Sequence, residues 1–349
     1  MTKAFYFKHV LNFNTPSGTS RGVLKTKTSW FIVIKNEKKI GVGECSIIEG
    51  LSPDPMEDYV ETLKSVCENI HLGFDILSKK LKSYPSILFG LESAFLSLNS
   101  LSPFSIFPSE FTNHKDNLPI NGLVWMGEKD FMKNQIINKI NSGFDCIKIK
   151  IGAIDFNEEL ELLKSIRREF SEKDIEIRVD ANGAFSYEEA LINLPLLYKL
   201  KIHSIEQPIM PNQWKKMSFL CKNFPVDIVL DEELIYVNSL KQQEMLSTIK
   251  PKYIVIKPSL IGGLKKAEYW INLAEKNDIK WWVTSALESN IGLNIIAQWV
   301  YLKFSSIKQG LGTGQLYSNN INSPLYVKNG FLHYDPKTNW DITFFKGLL

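Results

Sequence analysis

Lys150, Asp180, Glu206, Asp231 and Lys257 follow one another at intervals of 30, 26, 25 and 26 residues. Each closes a short apolar run, in "CIKIK", "IEIRVD", "HSIE", "DIVLD" and "YIVIK". An interval of that length fits one β-strand plus the helix that returns the chain to the next parallel strand. If the five strand ends meet, three carboxylates converge. They repel one another and demand a cation, because charges are almost never buried without partners. Ligand atoms that are all oxygen select a hard ion, with Mg2+ expected first and Mn2+ able to substitute. Two ammonium groups then flank that ion. The arrangement suits removal of a proton from the carbon beside a carboxylate, with the metal holding the substrate carboxylate and stabilising the enediolate.

A lysine can take such a proton only if its pKa falls well below the ordinary value of about 10.4. In "DCIKIKIG" isoleucine and lysine alternate, so Lys148 and Lys150 share one face of a strand and Ile147, Ile149 and Ile151 the other. Taken alone, two lysines on one face read as a solvated edge strand. Beside three carboxylates they read differently: an ammonium at Lys148 lowers the pKa of Lys150, as do desolvation and a nearby divalent cation. Glu233 shares its parity with Asp231 and is a possible substitute ligand. His203 has the wrong parity relative to Glu206 and is assigned to packing. Trp281 and Trp282 lie on opposite faces of their strand, so one is core and neither is a ligand.

These residues need a scaffold. Eight apolar runs, "LPINGLVWMG", "CIKIKIG", "IEIRVDANG", "HSIEQP", "DIVLDEE", "YIVIKPS", "KWWVTSALES" and "KQGLGTGQL", alternate with amphipathic segments such as 158–170, 187–200, 263–277 and 292–304. The repeat length is nearly constant and no glycine-rich dinucleotide turn follows the first run, which favours a closed barrel over an open doubly wound sheet. The expected fold is α/β: a modified TIM barrel, (β/α)7β, over 116–322, with an N-terminal α+β capping domain over 1–115. In that domain "AFYFKHVLNF" reads as a strand, "SWFIVIKNEKKIGVGECS" as a hairpin, and residues 14–24 as a mobile substrate loop rich in Gly, Ser, Thr and Pro. The segment 323–349 carries a hairpin signal at Asn329-Gly330 and is expected to return to the capping domain. Barrel active sites are built at the C-terminal strand ends, where all five ionisable residues fall.

Bulk composition excludes several other classes. Of 349 residues, 44% are hydrophobic and 23% charged, with a net charge of +3. That balance, without any dense basic run, gives no expectation of nucleic acid and suits a small anionic carboxylate partner. Four cysteines without a CxxC pair point to a reducing compartment. The N-terminal residues show no signal-type apolar core and no stretch approaches a membrane span, so a cytoplasmic location is expected. Oligomeric state is not legible.

Together "KIK", "VDANG", "IEQP", "LDE" and "IKPSLIGG" resemble the muconate-lactonising branch of the enolase superfamily, whose sites use a Lys or His base with Mg2+. Within that branch "TSALESNIGLN" and "GLGTGQLY" are similar to the o-succinylbenzoate synthase family, lyases that dehydrate a succinyl-hydroxycyclohexadiene carboxylate in menaquinone biosynthesis. The resemblance implies Asp180, Glu206 and Asp231 as Mg2+ ligands, Lys150 as base and then acid, Lys257 as a lasting cation, and Lys148 as the tuner of Lys150. Racemases and epimerases of the branch share all of these residues, and a non-catalytic barrel is a further alternative. Asn182 in "VDANG", Ser285, Ser289 and the backbone at Gly312 and Gly314 are candidate substrate contacts. So are Thr19, Ser20 and Arg21, as residues that could close over the substrate.

Overall fold

Alternating apolar residues near the N-terminus form two long strands, β1 (Lys3–Thr19) and β2 (Gly22–Lys35), in antiparallel register from Lys3↔Lys35 to Thr19↔Gly22. The computed structural model describes residues 2–19, 22–303 and 305–345. The register shifts between Asn12 and Ser17, so Pro16 sits in a bulge where its missing N–H costs no ladder bond. This corrects the expected loop over 14–24. Most of it is a hairpin arm, and its turn-forming composition is absorbed by the bulge. Strand β3 (Ile40–Ser46) completes the sheet on β2. Helices α1 (Tyr59–Glu68), α2 (Phe74–Lys80) and α3 (Pro85–Asn99) cover it, with Ile32, Ile34, Leu63, Ile87 and Leu91 as their shared core.

The barrel begins at β4 (Leu118–Pro119) and β5 (Gly122–Val124). It continues through α4 (Lys129–Asn141), β6 (Cys146–Lys150), α5 (Phe156–Glu169), β7 (Glu176–Asp180), α6 (Tyr187–Lys199), β8 (Ser204–Glu206) and α7 (Trp214–Asn223). Then follow β9 (Asp227–Leu230), α8 (Glu232–Tyr236), α9 (Gln242–Ile249), β10 (Tyr253–Ile256), α10 (Pro258–Ile261), α11 (Leu264–Lys276), β11 (Lys280–Val283) and α12 (Asn290–Tyr301). Strands β5 to β11 lie side by side in chain order, each parallel to the next. The eighth strand shrinks to Gln309 and Gly310, which bridge to Ile120 and Thr284 and close the ring. The (β/α)7β architecture is therefore as expected. Among the described residues no helix is long and apolar enough to cross a membrane.

Strand parity sorts the side chains. Ile147, Ile149, Ile151, Ile177 and Val179 face the helices in the main core, while Val229, Tyr253, Val255 and Trp282 fill the barrel interior. The buried Arg178 guanidinium lies 4.3 Å from the Trp282 ring and donates to Glu176 (2.7 Å) and to the Lys308 carbonyl (3.0 Å), so its charge is paired. His203 packs against Tyr253.

The C-terminal hairpin, β12 (Leu325–Lys328) and β13 (Phe331–Tyr334), does not join the capping sheet. It pairs with β4 at the N-terminal end of the barrel strands, where Leu332 and Tyr334 enter the barrel core. The return to the capping sheet is made further on, by Trp340 stacked on Phe104 at 4.4 Å and by Phe345 beside Phe7 and Phe31.

At the closure a Cβ added to Gly310 would stand 2.1 Å from Thr284 Oγ1, the hydroxyl that donates to the Gly310 carbonyl. Gly310→Ala is expected to cost about 1–3 kcal/mol by overpacking. The check is urea unfolding, with a lowered midpoint at unchanged m-value.

Candidate active site

The five strand-end groups meet because neighbouring strands are in register. Lys150 pairs with Asp180, and Asp180 with Glu206. Asp231 and Lys257 are the first residues past β9 and β10, at the starts of α8 and α10. All five are buried. Lys150 Nζ donates to Asp180 Oδ2 (2.6 Å) and to Asn182 Oδ1 (2.7 Å). Lys148 Nζ bridges Asp180 Oδ2 (2.9 Å) and both Glu206 oxygens (3.0 Å each). Lys257 Nζ donates to Asp231 Oδ2.

These charges set one another's protonation. Burial opposes the Lys148 charge, but the carboxylates of Asp180, Glu206 and Asp231 outweigh it and raise its pKa. Lys257 is raised for the same reason, through Asp231 and Glu206. Lys150 moves the other way: burial lowers its pKa, Asp180 opposes, and Lys148 lowers it further. Desolvation is the larger cause, and the Lys148 ammonium acts in the same direction. Burial raises Asp180, yet the ammonium groups of Lys148 and Lys150 hold it well below the carboxylate range. Glu206 is pushed up to about 8 by burial and by the Asp180 charge, and Asp231 is raised by burial and by Glu232.

Asp180, Glu206 and Asp231 each bring a carboxylate oxygen within 4.8 Å of the others. Three buried oxygens at that separation fit one hard cation. Glu233 is no substitute. The strand period ends at Leu230, and Glu233 turns away to accept from the Asn212 N–H. Glu232 faces the site instead, accepting from Asn182 Nδ2 (3.1 Å).

Above the charges lies a cavity of about 340 Å³. Its floor carries Lys148, Lys150 and Lys257, one wall carries Asn121, Thr284, Ser285 and Thr313, and Leu123, Trp125 and Leu287 supply apolar surface. Gly22, Val23 and Leu24 from the hairpin and residues 48–51 from the loop after β3 form the roof. Thr19 ends β1 beside that roof. Ser20 and Arg21 lie outside the described residues.

Ser285 lines the cavity, with Oγ 2.6 Å from Thr313 Oγ1, and Gly312 lines it as well. Ser289 and Gly314 do not. Ser289 caps α12, and its hydroxyl donates to Glu44 (2.6 Å), since the turn after residue 285 sends it outward. Gly314 packs against Asn290 and Leu293. Asn182 holds Lys150 and is not among the lining residues. Sequence reasoning missed Asn121, Thr284 and Thr313. Thr284 was legible, two residues past the inward Trp282. Asn121 lies between two short strands, and its Oδ1 is buried without a partner among the described residues.

Residues 132–337 match the family model described as enolase C-terminal domain-like. The chain belongs to the enolase superfamily. An o-succinylbenzoate synthase of Desulfotalea psychrophila is 43% identical over an alignment covering 94% of this chain and 97% of that protein. The crystal structure of MenC from the same organism superposes with a TM-score of 0.85 at 39% identity, covering 95% of this chain and 99% of that one. The L-Ala-D/L-Glu epimerase of Bacillus subtilis, in a substrate-liganded complex, superposes with a TM-score of 0.84 at 18% identity over 97% of each chain, a likeness of fold. This superfamily member thus keeps an enzyme's site, with acidic, basic and cavity-lining groups at one barrel mouth.

Glu206, raised to about 8, holds a proton in the metal-free folded chain that the unfolded chain releases near 4.5. Its contribution to stability is full below about pH 4.5 and is lost as pH rises through about 8. A divalent cation needs Glu206 ionised, so binding releases that proton and the apparent affinity rises by up to about tenfold per pH unit toward pH 8. Melting curves with EDTA and with Mg2+ check this. The gain on adding Mg2+ should be larger at pH 9 than at pH 6, and equal gains would contradict it.

Proposed function

We propose that the chain is an o-succinylbenzoate synthase, a lyase that converts 2-succinyl-6-hydroxy-2,4-cyclohexadiene-1-carboxylate to 2-succinylbenzoate and water in menaquinone biosynthesis. The observation that carries this reading is the 43% identity to the Desulfotalea psychrophila enzyme over nearly the whole of both chains. The cavity agrees in chemistry: a cationic floor for a carboxylate, apolar walls for a six-membered ring, and hydroxyl and amide groups for a second polar end. The free cysteines accord with a cytoplasmic setting.

Asp180, Glu206 and Asp231 hold Mg2+ in this reading, with Mn2+ able to replace it. When bound, the ion supplies positive charge against the substrate carboxylate and acidifies the neighbouring C–H. Lys150, lowered in pKa and steadied by Asn182, takes the C1 proton. Lys257, kept charged by Asp231, faces the negative charge that develops on the carboxylate. The electron pair of the C1–H bond forms the C1–C6 double bond as the C6–O bond breaks. Lys150 returns its proton to the departing hydroxyl, so water leaves and the ring becomes aromatic. One lysine exchanges a proton and the other stays a cation, as elimination on one face of the ring requires.

Replacing Asp180, Glu206 or Asp231 by Ala is expected to abolish turnover and weaken Mg2+ binding, and EDTA should silence the unmodified chain reversibly. Lys150→Ala should lower kcat by about 10²–10⁴ or more with the fold intact. Ultraviolet absorbance of the aromatic product follows both. Full activity in metal-free buffer, or near-normal kcat for Lys150→Ala, would reject these assignments.

A second reading, racemisation or epimerisation of an N-acylated amino acid or dipeptide, draws on the L-amino acid-D/L-Glu epimerase of Francisella philomiragia, 31% identical over 45% of this chain. Racemisation needs a working base on each face of the carbon, so both lysines would exchange protons. Each enantiomer of an N-succinyl amino acid, incubated in D2O with Mg2+, should show slow or absent α-deuterium exchange, while the cyclohexadiene gives aromatic product rapidly. Fast exchange of both enantiomers with no aromatic product would favour the second reading.

A further inference from the structure

The cavity wall contributed by residues 284–287 is held in a shape that the chain does not adopt easily. Leu287 has φ 59°, a left-handed conformation that residues with a Cβ seldom occupy. The backbone around it is tied down at several points. The Leu287 N–H donates to Ser285 Oγ (3.3 Å), its carbonyl accepts from Tyr317 OH (2.8 Å), and the Ala286 N–H donates to Glu288 Oε2 (2.7 Å). Glu288 is in turn bonded by the Ser259 hydroxyl. These partners belong to the barrel and the segment that follows it, while Ser46 Oγ on β3 of the capping sheet donates to the Ala286 carbonyl (3.1 Å).

The far end of the loop is anchored from the capping sheet. Glu44, on β3 and wholly buried, accepts from the Ser289 N–H (2.9 Å), Ser289 Oγ (2.6 Å), the Gly292 N–H (2.9 Å) and Ser29 Oγ (2.6 Å). Four donors converge on its two oxygens, an arrangement that only a carboxylate satisfies. Lys27 Nζ, 3.9 Å from Glu44 and bonded to Ser29 (2.8 Å), supplies the balancing charge. The carboxylate sits at the start of α12, where free N–H groups and the helix dipole favour an anion. Gly292 leaves room for it: a Cβ there would be 2.9 Å from Glu44 Oε2 and 2.7 Å from Glu288 Cγ.

We infer that Glu44 is a positioning residue for the substrate cavity. It touches neither the cavity nor the charged floor, yet it fixes Ser289 and the first turn of α12, and through them the wall made by Ser285 and Leu287. The inference rests on reading that cavity as the substrate site. A matched control exists in the same molecule. Glu92, on α3, is likewise buried and caps a barrel helix from the other part of the chain, accepting from the Leu264 N–H (2.5 Å) and the Lys265 N–H (3.1 Å). Its helix, α11, contributes no residue to the cavity. Both glutamates join the two parts of the molecule, and only one stands behind the substrate wall.

The test compares Glu44→Gln with Glu92→Gln in the full chain. A glutamine at 44 would turn an NH2 group toward backbone N–H donors. Steady-state kinetics with the cyclohexadiene, urea unfolding, and hydrogen exchange of peptides spanning 284–293 are measured on both. Glu44→Gln is expected to raise KM about tenfold with kcat within about threefold, because a shifted wall loosens fit before it disturbs the lysines. Exchange over 284–293 should quicken. Glu92→Gln should lose comparable stability and keep KM within about twofold. Ser289→Ala, which removes one donor and spares the carboxylate, should shift KM and exchange in the same direction by less, and it decides the matter if Glu44→Gln does not fold. Equal KM changes in the two glutamine variants, or unchanged exchange in Glu44→Gln and Ser289→Ala, would overturn the inference. An unmodified chain that makes no aromatic product would instead sink the proposed function, and the exchange comparison would then judge the role of Glu44.

Discussion

Three buried carboxylates cannot share a space under 5 Å across unless positive charge is placed among them, and much of the barrel's active end follows from that requirement. Asp180, Glu206 and Asp231 are met by Lys148, Lys150 and Lys257, three against three, each lysine delivered by a strand on one side or the other. The balance is uneven in a useful way. Lys148 sits against Asp180 and Glu206, and Lys257 has Asp231, whereas Lys150 must share Asp180 Oδ2 with Lys148 and has a neutral amide as its other partner. Burial lowers Lys150, the neighbouring Lys148 ammonium adds to it, and a base emerges beside two lysines whose pKa values are raised.

The scaffold holds this cluster by repeating one device. Glu159 on α5 accepts from the N–H groups of Gly152 and Ala153 just past Lys150, Glu233 from Asn212 past β8, Glu288 from Ala286 past β11, and Glu92 and Glu44 from the first turns of α11 and α12. Loops at the active end of a barrel leave backbone donors without ladder partners. A buried carboxylate satisfies one such donor at Glu233 and Glu288 and two at Glu159, Glu92 and Glu44, and so fixes each turn. Little solvent reaches Glu159 and Glu288, and burial raises both to about 7.

Wherever a period governed the chain, the sequence was readable. Inward parity located Lys148, Lys150, Asp180 and Glu206, and the interval of one strand and one helix located Asp231 and Lys257. The readings failed where the period stopped. Parity admits Glu233 as an alternative to Asp231 only if β9 runs past Leu230, where it ends, and nearness to strand ends does not place Ser289 or Gly314, because the chain turns outward after each. The bulge at Pro16 resembles a loop because Gly, Ser, Thr and Pro mark both, and only its pairing with β2 tells them apart. Asn121, Thr313 and Glu44 had no local signal: their roles are created by residues far away in sequence.

The capping sheet carries a consequence for the order in which the molecule can be assembled. Phe7 and Phe31 lie under Phe344 and Phe345, and His9 bonds to the Asn319 carbonyl across 310 residues of chain. A ribosome delivers β1 and β2 before the barrel, with one aromatic face and a long hairpin rim bare, and the residues that cover them arrive after it. Contacts of such sequence separation form late and slowly. Until then the hairpin presents unpaired strand edges beside exposed phenylalanines, the kind of surface on which partly folded chains associate. For this protein, yield during synthesis should depend less on the barrel than on how long the earlier-made sheet must wait for its later-made cover.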